Sequence, residues 1–262
     1  MVKIIRASLR NGLEKGNLLL GFCNMYPAAG ILERVGLDWD WIWIDGQHGE
    51  HGYDSIFAAV RACELINRPS VVRVPGHDYG MIGRVLDMGA SGIMVPMIDN
   101  VEQAKAVVKA VKFPPIGQRS YGGRRPVDLY GRAYAHTANE DVILIAQIET
   151  KEGLSNVEEI AALPGVDVVF FGPDDMSMQD GLPMDKPRPE GLFDEKMARV
   201  AAAADKFGKI AGTVAVSPQM LQKAMKMEYK LCVACGDVPL LANGSKQAHS
   251  VMYEIKENRE SA

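Results

Sequence analysis

Residues 142–178 read VILIAQIETKEGLSNVEEIAALPGVDVVFFGPDDMSM, and this stretch decides the fold of the chain. Two apolar runs of strand length, ILIAQI and VVFFGP, are each followed by acidic residues, and a helix-like segment, GLSNVEEIAALPG, lies between them. The unit predicts a strand, a helix and a second strand. In a parallel sheet, such a crossover brings both strand ends to the same edge.

Acidic residues stand at both of these strand ends. Glu149 follows the first apolar run, and Asp175 follows the second. Carboxylate oxygens are the ligands that hard divalent cations prefer. The pair therefore predicts a divalent-metal site at the carboxyl edge of the sheet. The alternative is that both are solvated acids without a ligand.

The rest of the chain repeats the same strand-and-helix pattern. Eight apolar, β-branched runs alternate with amphipathic segments, and each run is near-continuously apolar, as strands buried on both faces are. The 262 residues, 47% of them hydrophobic, suit one barrel. We therefore predict an α/β fold, a single (β/α)8 TIM-barrel domain over residues 1–262. The predicted strands cover 17–23, 41–45, 70–75, 92–97, 142–149, 167–172, 209–215 and 229–235.

The main competing fold is a doubly wound open sheet. Such a sheet usually has a glycine-rich phosphate loop after its first strand, but GFCNMYPAAG lacks the G-x-G-x-x-G spacing, and no Walker loop occurs. The pattern therefore favours the barrel. One connection is too long for a single helix, and its segment GQRSYGGRRPVDLYGRAY predicts a functional or disordered loop.

Composition excludes several classes of function. The net charge is −4 without a Lys/Arg cluster, which argues against nucleic-acid binding. The apolar runs are much shorter than the roughly 20 residues of a membrane span, and the first 17 residues lack an apolar signal core. Cys232 and Cys235 form C-x-x-C inside an apolar run, which indicates buried, reduced thiols more than a redox or zinc site. We expect a soluble cytoplasmic protein.

Other polar residues end predicted strands and are candidates for the same site. His48 can act as a general base, or it is simply a solvated loop histidine. Arg73 lies in an apolar strand and needs an anionic partner, which is either a structural carboxylate or a substrate carboxylate or enolate. Gly172 and Pro173 allow a ligand to approach the backbone, and the amides after them can bind an anion. An ordinary strand-to-helix turn explains these two residues equally well.

Several segments together resemble one known family. They are WIWIDGQHG, VVRVP, LDMGASGIMVPMIDNVEQAKAVV, GQRSYGG and AQIETKEGLSNVEEIAALPGVDVVFFGPDD. The chain resembles the HpcH/HpaI aldolases, which are metal-dependent class II pyruvate aldolases of the phosphoenolpyruvate/pyruvate TIM-barrel superfamily. The resemblance covers nearly the whole chain.

The resemblance implies a cofactor and its ligands. Glu149 and Asp175 match the residues that hold Mg²⁺, Mn²⁺ or Co²⁺, to which pyruvate binds through its carboxylate and keto oxygens. Gln147 matches a residue that contacts the substrate. Asp174, after Gly172 and Pro173, matches one that holds the substrate through its main chain.

The resemblance also implies catalytic roles. His48 matches the base, Arg73 the residue that stabilises the enolate, and Asp87 an acid that raises the basicity of the histidine. Asp87 ends the helix before the fourth strand, at the wrong end of its own barrel, so we expect it to meet His48 only across a subunit interface. The alternative is a surface acid at a helix end. The family implies a homo-oligomer, a hexamer or a trimer, with the C-terminal helix exchanged between subunits.

The chain departs from the family pattern at three places. Gln47 stands where the family usually has glutamate, and Asp174 stands where a small residue is common. A side chain of Asp174 that points inward would add a third carboxylate to the site. The segment SYGGRRP also differs from the expected glycine-rich version, and we expect it to influence which acceptor is used.

The function implied is that of a carbon–carbon lyase. The reaction is the reversible cleavage of a 4-hydroxy-2-oxo acid to pyruvate or hydroxypyruvate and an aldehyde, through a metal-stabilised enolate. The strand ends offer no lysine for the Schiff base of a class I aldolase. Two alternatives stay open: decarboxylation and condensation of oxaloacetate, as in siderophore citrate synthesis, and a non-catalytic 2-oxo-acid binder.

Overall fold

Eight parallel strands form a closed barrel in the computed structural model, which describes residues 8–260. The strands neighbour one another in chain order, and the eighth pairs with the first. Every strand predicted from the sequence is present, and the predicted (β/α)8 barrel is confirmed. The strands are β1 Leu19–Asn24, β2 Trp41–Asp45, β3 Ser70–Arg73, β4 Gly92–Val95, β5 Ile143–Ile148, β6 Val168–Phe171, β7 Ile210–Val214 and β8 Leu231–Gly236.

Thirteen α-helices are described around the barrel and at its ends. Residues 1–7 and 261–262, which the single-domain prediction includes, lie outside the described residues. The helices are α1 Leu9–Glu14, α2 Ala29–Val35, α3 Tyr53–Leu65, α4 Tyr79–Asp87, α5 Val101–Val111, α6 Arg124–Tyr130, α7 Ala138–Asp141, α8 Lys151–Ser155, α9 Val157–Ala161, α10 Pro173–Gln179, α11 Asp194–Lys206, α12 Pro218–Lys226 and α13 Asp237–Glu260.

The strands bury both of their faces. Alternate side chains point into the barrel, where Trp43, Met94, Ile145 and Phe170 form part of one apolar cluster. The outward side chains of the strands pack with the helices in a second and larger cluster. Two leucines of α1 join the inner cluster and are buried. The barrel interior is therefore a packed core, and polar groups appear on inward positions only toward the strand ends.

Two helical regions differ from their sequence patterns. The predicted helix after β5 is divided at Asn156 into α8 and α9. The sequence after His249, SVMYEIKENRESA, predicts a terminal helix, but the C-terminal helix already begins at Asp237. The presence of Pro239 argues against a helix at this point of the sequence. Proline is nevertheless tolerated in the first turn of a helix, because the amide there has no partner within the helix.

The long connection before β5 is not a structureless loop. Its residues form α6 and a short 3₁₀-helix, Arg132–His136. The rings of Phe113, Tyr121 and Tyr134 pack together, with Tyr121 and Tyr134 stacked at 5.9 Å between centroids. The segment joins α5 to β5, so within one chain it belongs to the amino-terminal end of the barrel, away from the ends of β5 and β6.

All four cysteines are free thiols; Cys232 is buried as predicted, whereas Cys235 is only half-buried. Burial raises the pKa of the Cys232 thiol to about 12, which keeps it protonated at neutral pH. Among the helices within residues 8–260, none has both the length and the apolar character needed to cross a bilayer.

Candidate active site

The side chain of Glu149 lies at the carboxyl end of β5, inside the barrel. Residues 143, 145, 147 and 149 alternate with outward residues, so the inward face of this strand is apolar first and polar at its end. Glu149 is 1% exposed. One carboxylate oxygen accepts a hydrogen bond from the Met97 amide at 2.9 Å, and the other accepts one from Gln147 Nε2 at 2.5 Å.

Asp175 lies beside Glu149, as the crossover from β5 to β6 predicts. Burial raises the pKa of Glu149 from 4.5 to about 7, and the Met97 amide opposes the rise. The charge of Asp175 and a hydrogen bond between the two carboxyl groups raise the Glu149 pKa further. Two carboxyl groups in this proximity resist simultaneous ionisation unless a cation neutralises them.

The backbone of Gly172 leaves space for these carboxyl groups. A Cβ atom at this position would lie 2.5 Å from Glu149 Oε2 and 3.1 Å from Gln147 Nε2. Gln147 is buried, and its Oε1 atom has no hydrogen-bond partner among the described residues. The site thus combines a backbone cradle, two carboxyl groups and a free amide oxygen.

These residues fit a hard divalent cation. Their donors are oxygens, the ligands that such cations prefer, and burial together with the charge of Asp175 raises the pKa of Glu149. Within residues 8–260, no group of three or more His, Cys, Asp or Glu side chains is arranged to hold a metal ion. Glu149 and Asp175 would therefore be the carboxylate ligands, and the remaining ligands would come from water or substrate.

The raised pKa of Glu149 predicts pH-dependent stability of the metal-free protein. Because the folded pKa lies above the unfolded value, the cost is absent below about pH 4.5, grows as the pH rises from there to about 7, and is constant above that. Glu149→Gln should remove a cost of roughly 3 kcal/mol at pH 8. Melting curves in EDTA should show the variant increasingly more stable than wild type between pH 5 and 8. A constant difference across this range would contradict the shift.

Arg73 is held by Asp45, which is not among the site residues that the sequence predicts. Arg73 Nε donates to Asp45 Oδ1 at 2.9 Å, and Nη2 donates to Oδ2 at 2.6 Å. Burial alone would raise the pKa of Asp45, but the hydrogen bonds and charge of Arg73, with the amides of Gln47 and His48, lower it on balance. The pairing follows from register, because Asp45 and Arg73 are partners across β2 and β3.

The guanidinium of Arg73 is also supported by an aromatic ring. Its Cζ atom lies 4.6 Å from the centroid of Trp43, which itself packs edge-on against Phe170. The side chain of Arg73 is 8% exposed. A bidentate ion pair and a cation–π contact together fix the plane of the guanidinium at the top of the apolar core.

His48 lies on the loop that follows β2 and is exposed. Its amide donates to Asp45 Oδ1 at 3.3 Å, and the Gln47 amide donates to the same oxygen at 3.0 Å. The carboxylate that orients Arg73 therefore also holds the loop that carries the imidazole. The structure places His48 at the carboxyl end of the barrel, and its role as a base stays a prediction.

The side chain of Asp174 points away from the pair formed by Glu149 and Asp175. It is 75% exposed and forms an ion pair with Arg188. Both aspartates lie in the first turn of α10, where successive side chains are about 100° apart around the axis. Of the two, only Asp175 turns toward Glu149, and the site gains no third carboxylate from Asp174.

Asp87 ends α4 just before β4 begins, at the opposite end of the barrel from His48. Its carboxylate accepts a hydrogen bond from Arg119 at 2.8 Å, and its side chain is 36% exposed. It also packs against Gly123, in the segment expected to influence acceptor choice. Within one chain, neither Asp87 nor this segment comes near His48.

The chain is similar in sequence to curated aldolases. A curated 4-hydroxy-2-oxovalerate aldolase from Novosphingobium aromaticivorans is 40% identical over 82% of this chain and 83% of its own length. A 2-dehydro-3,6-dideoxy-6-sulfogluconate aldolase from Pseudomonas putida is 30% identical over 93% of this chain and 95% of its own length. These relatives support a carbon–carbon lyase.

Solved structures and the family comparison complete the assignment. The crystal structure of the citrate synthase SbnG superposes with a TM-score of 0.86, covering 96% of this chain and 100% of that one. At 24% identity it shows the fold alone. A sequence model of the family described as HpcH/HpaI aldolase/citrate lyase matches residues 24–242. The chain belongs to the HpcH/HpaI aldolase/citrate lyase family.

Proposed function

We propose that this protein is a divalent-metal-dependent aldolase that cleaves a 4-hydroxy-2-oxo acid to pyruvate or hydroxypyruvate and an aldehyde, and catalyses the reverse addition. The observation that carries the proposal is the pairing of Glu149 with Asp175 at the barrel mouth, on the same rim as Arg73 and His48. The named aldolase relatives support the substrate class, a 2-oxo acid.

A metal ion has one task in this proposal. Held by Glu149 and Asp175, Mg²⁺, Mn²⁺ or Co²⁺ would polarise the keto group of the donor and make its methyl protons acidic. Membership of the family supports a divalent metal in general. The restriction to these three ions is part of the proposal.

The chain's own residues supply the proton transfer and the charge stabilisation. In the addition direction, His48 removes a proton from the donor methyl group, and Arg73 donates N–H groups to the oxygen on which negative charge develops. The methyl carbon then bonds to the aldehyde carbon, and the aldehyde oxygen takes up the proton. Cleavage reverses each step. Asp45 holds Arg73 in a fixed orientation, so that little reorganisation accompanies the reaction.

The direct test is an aldol assay with pyruvate and short aldehydes. Activity should require Mg²⁺, Mn²⁺ or Co²⁺ and disappear in EDTA, and borohydride should trap no covalent adduct. The reason is that none of the eight described strands contains a lysine that could form a Schiff base. Full activity in EDTA, or borohydride-trapped protein, would refute the proposal.

Two other functions would use the same residues. Decarboxylation of oxaloacetate followed by condensation needs the same enolate, and competition between oxaloacetate and pyruvate with varied acceptors distinguishes it. The fold shared with the citrate synthase does not by itself favour this reaction, because it rests on 24% identity. A non-catalytic 2-oxo-acid binder would leave the methyl protons of pyruvate unexchanged in D₂O.

Gly172 and Asp174 offer contrasting substitutions on either side of the site. Gly172→Ala places a Cβ atom against Glu149, so the aldol rate should fall at least about tenfold. Asp174→Ala removes only an exposed ion pair, and the rate should change less than about fivefold. Steady-state rates with pyruvate at saturating Mn²⁺ measure both. A larger loss in Asp174→Ala would show that its side chain acts in the site.

We further propose that the working enzyme is a cytoplasmic homo-oligomer, a hexamer or a trimer. Asp87 lies far from His48 in its own chain, so its expected role requires a neighbouring subunit. The exposed apolar side chains along α13, among them Leu241, Met252 and Ile255, support exchange of this helix with another copy. Four free thiols support a reducing compartment.

A further inference from the structure

Asp237 is the first residue of α13 and is 1% exposed, so its carboxylate is buried. Its Oδ2 atom accepts three hydrogen bonds, each 2.9 Å long, from Asn24 Nδ2 and from the backbone amides of Met25 and Tyr26. The Val238 amide donates to Oδ1, also at 2.9 Å. A buried carboxylate requires such a set of donors, so the segment that follows β1 is fixed to the start of α13.

The same segment holds the loop that carries His48. The Glu50 amide donates to the Met25 carbonyl at 2.8 Å. Gly49 is packed so tightly that a Cβ atom would lie 2.9 Å from the Met25 oxygen and 2.3 Å from the Asp45 oxygen. His48 is therefore fixed on both sides. The Asp45 carboxylate accepts a hydrogen bond from the His48 amide. The carbonyl of Met25, a residue whose own amide is bound by Asp237, accepts one from the Glu50 amide.

We propose that Asp237 is a positioning residue for His48, joining the loop of the catalytic base to the first turn of α13. The inference rests on the proposed function only in taking His48 as the base. Asp237 is not placed to touch substrate, because its carboxylate is enclosed by the backbone of residues 24–26 and by α13. A shift in the first turn of α13 would therefore displace residue 25, and through the hydrogen bond between the Met25 carbonyl and the Glu50 amide it would also displace the loop that carries the His48 imidazole.

A matched control exists at the other end of the barrel. The carboxylate of Asp167 is largely enclosed as well, and accepts hydrogen bonds from the Leu144 amide at 2.8 Å, from Lys112 at 2.9 Å and from Arg10 at 2.6 Å. Replacing it also unpairs a backbone amide, but at the amino-terminal end, away from His48. Asp237→Asn and Asp167→Asn therefore separate positioning of the base from general loss of stability.

The test compares both variants with the wild type, as full-length protein, by two readouts. The first is hydrogen–deuterium exchange of backbone amides, in which Asp237→Asn should deprotect the segment from Gly46 to Glu50 while Asp167→Asn deprotects Leu144 instead. The second is exchange of the pyruvate methyl protons in D₂O with Mn²⁺. Asp237→Asn should lower its turnover at least about tenfold with KM for pyruvate within about threefold, and Asp167→Asn should leave turnover unchanged.

Unaltered protection of the Gly46–Glu50 segment in Asp237→Asn would overturn the inference, and so would deprotection without loss of turnover. If Asp237→Asn does not fold, Asn24→Ala removes one donor to the same carboxylate and should cause a smaller change of the same kind in both readouts. If wild-type protein does not exchange pyruvate protons at all, the proposed function fails, and the amide readout alone then decides whether Asp237 orders the loop.

Discussion

Glu149→Gln is expected to lower the turnover of the aldol reaction by at least about 10³-fold. The substitution keeps the size of the side chain and its hydrogen bond from the Met97 amide, but it removes the charge that would hold a dication. In the proposed mechanism, loss of the ion would remove the stabilisation of negative charge on the donor oxygen, which we expect to be the largest contribution to the rate. Turnover at saturating Mn²⁺, measured by coupled detection of pyruvate, gives the result.

Glu158→Gln provides the matched control for this substitution. Glu158 lies on α9, exposed and paired with Lys206, so its replacement should leave turnover unchanged. Glu149→Gln should also melt no lower than wild type in EDTA at pH 8, since it removes a buried charge. A variant that keeps more than about a tenth of wild-type turnover would show that this carboxylate does not carry the reaction.

His48→Asn is expected to lower the rate of pyruvate methyl-proton exchange by about 10²–10⁴-fold, the usual contribution of a general base. Asparagine retains polarity but cannot accept a proton at neutral pH. Because Glu149 directly follows β5 and Asp175 lies on α10, both away from the loop of His48, the affinity for Mn²⁺ should remain that of the wild type. Proton NMR of pyruvate in D₂O measures the exchange without requiring an acceptor aldehyde.

His136→Asn is the comparison for the histidine. His136 is exposed in the 3₁₀-helix before α7, at the other end of the barrel, and its replacement should not alter the exchange. If His48→Asn exchanges protons as fast as the wild type, another group serves as the base. If the variant instead loses Mn²⁺ affinity, the histidine acts on the metal and not on the donor proton.

The barrel could be predicted from the sequence because parallel strands that are buried on both faces consist of consecutive apolar residues. The segment WIWID is the clearest example. The pairing of Glu149 with Asp175 followed from the rule that a crossover returns both strand ends to one edge. Neither inference required knowledge of side-chain packing.

Other parts of the site depended on register and helix phase, which the sequence does not display. The contact of Asp45 with Arg73 arises because these residues are partners across two strands, 28 positions apart in sequence. The outward direction of Asp174 follows from the first turn of α10, which begins at Pro173. The environment of Asp237 cannot be predicted from the sequence because its hydrogen-bond donors come from residues 24–26, near the other end of the chain.

The central claim is that Glu149 and Asp175 share one dication, and titration with Mn²⁺ followed by electron paramagnetic resonance tests it most directly. Wild-type protein should bind one Mn²⁺ per chain at this site, and Glu149→Gln and Asp175→Asn should each abolish that binding while Asp174→Asn retains it. Binding of Mn²⁺ by the Glu149→Gln/Asp175→Asn double variant with wild-type affinity and stoichiometry would contradict the account.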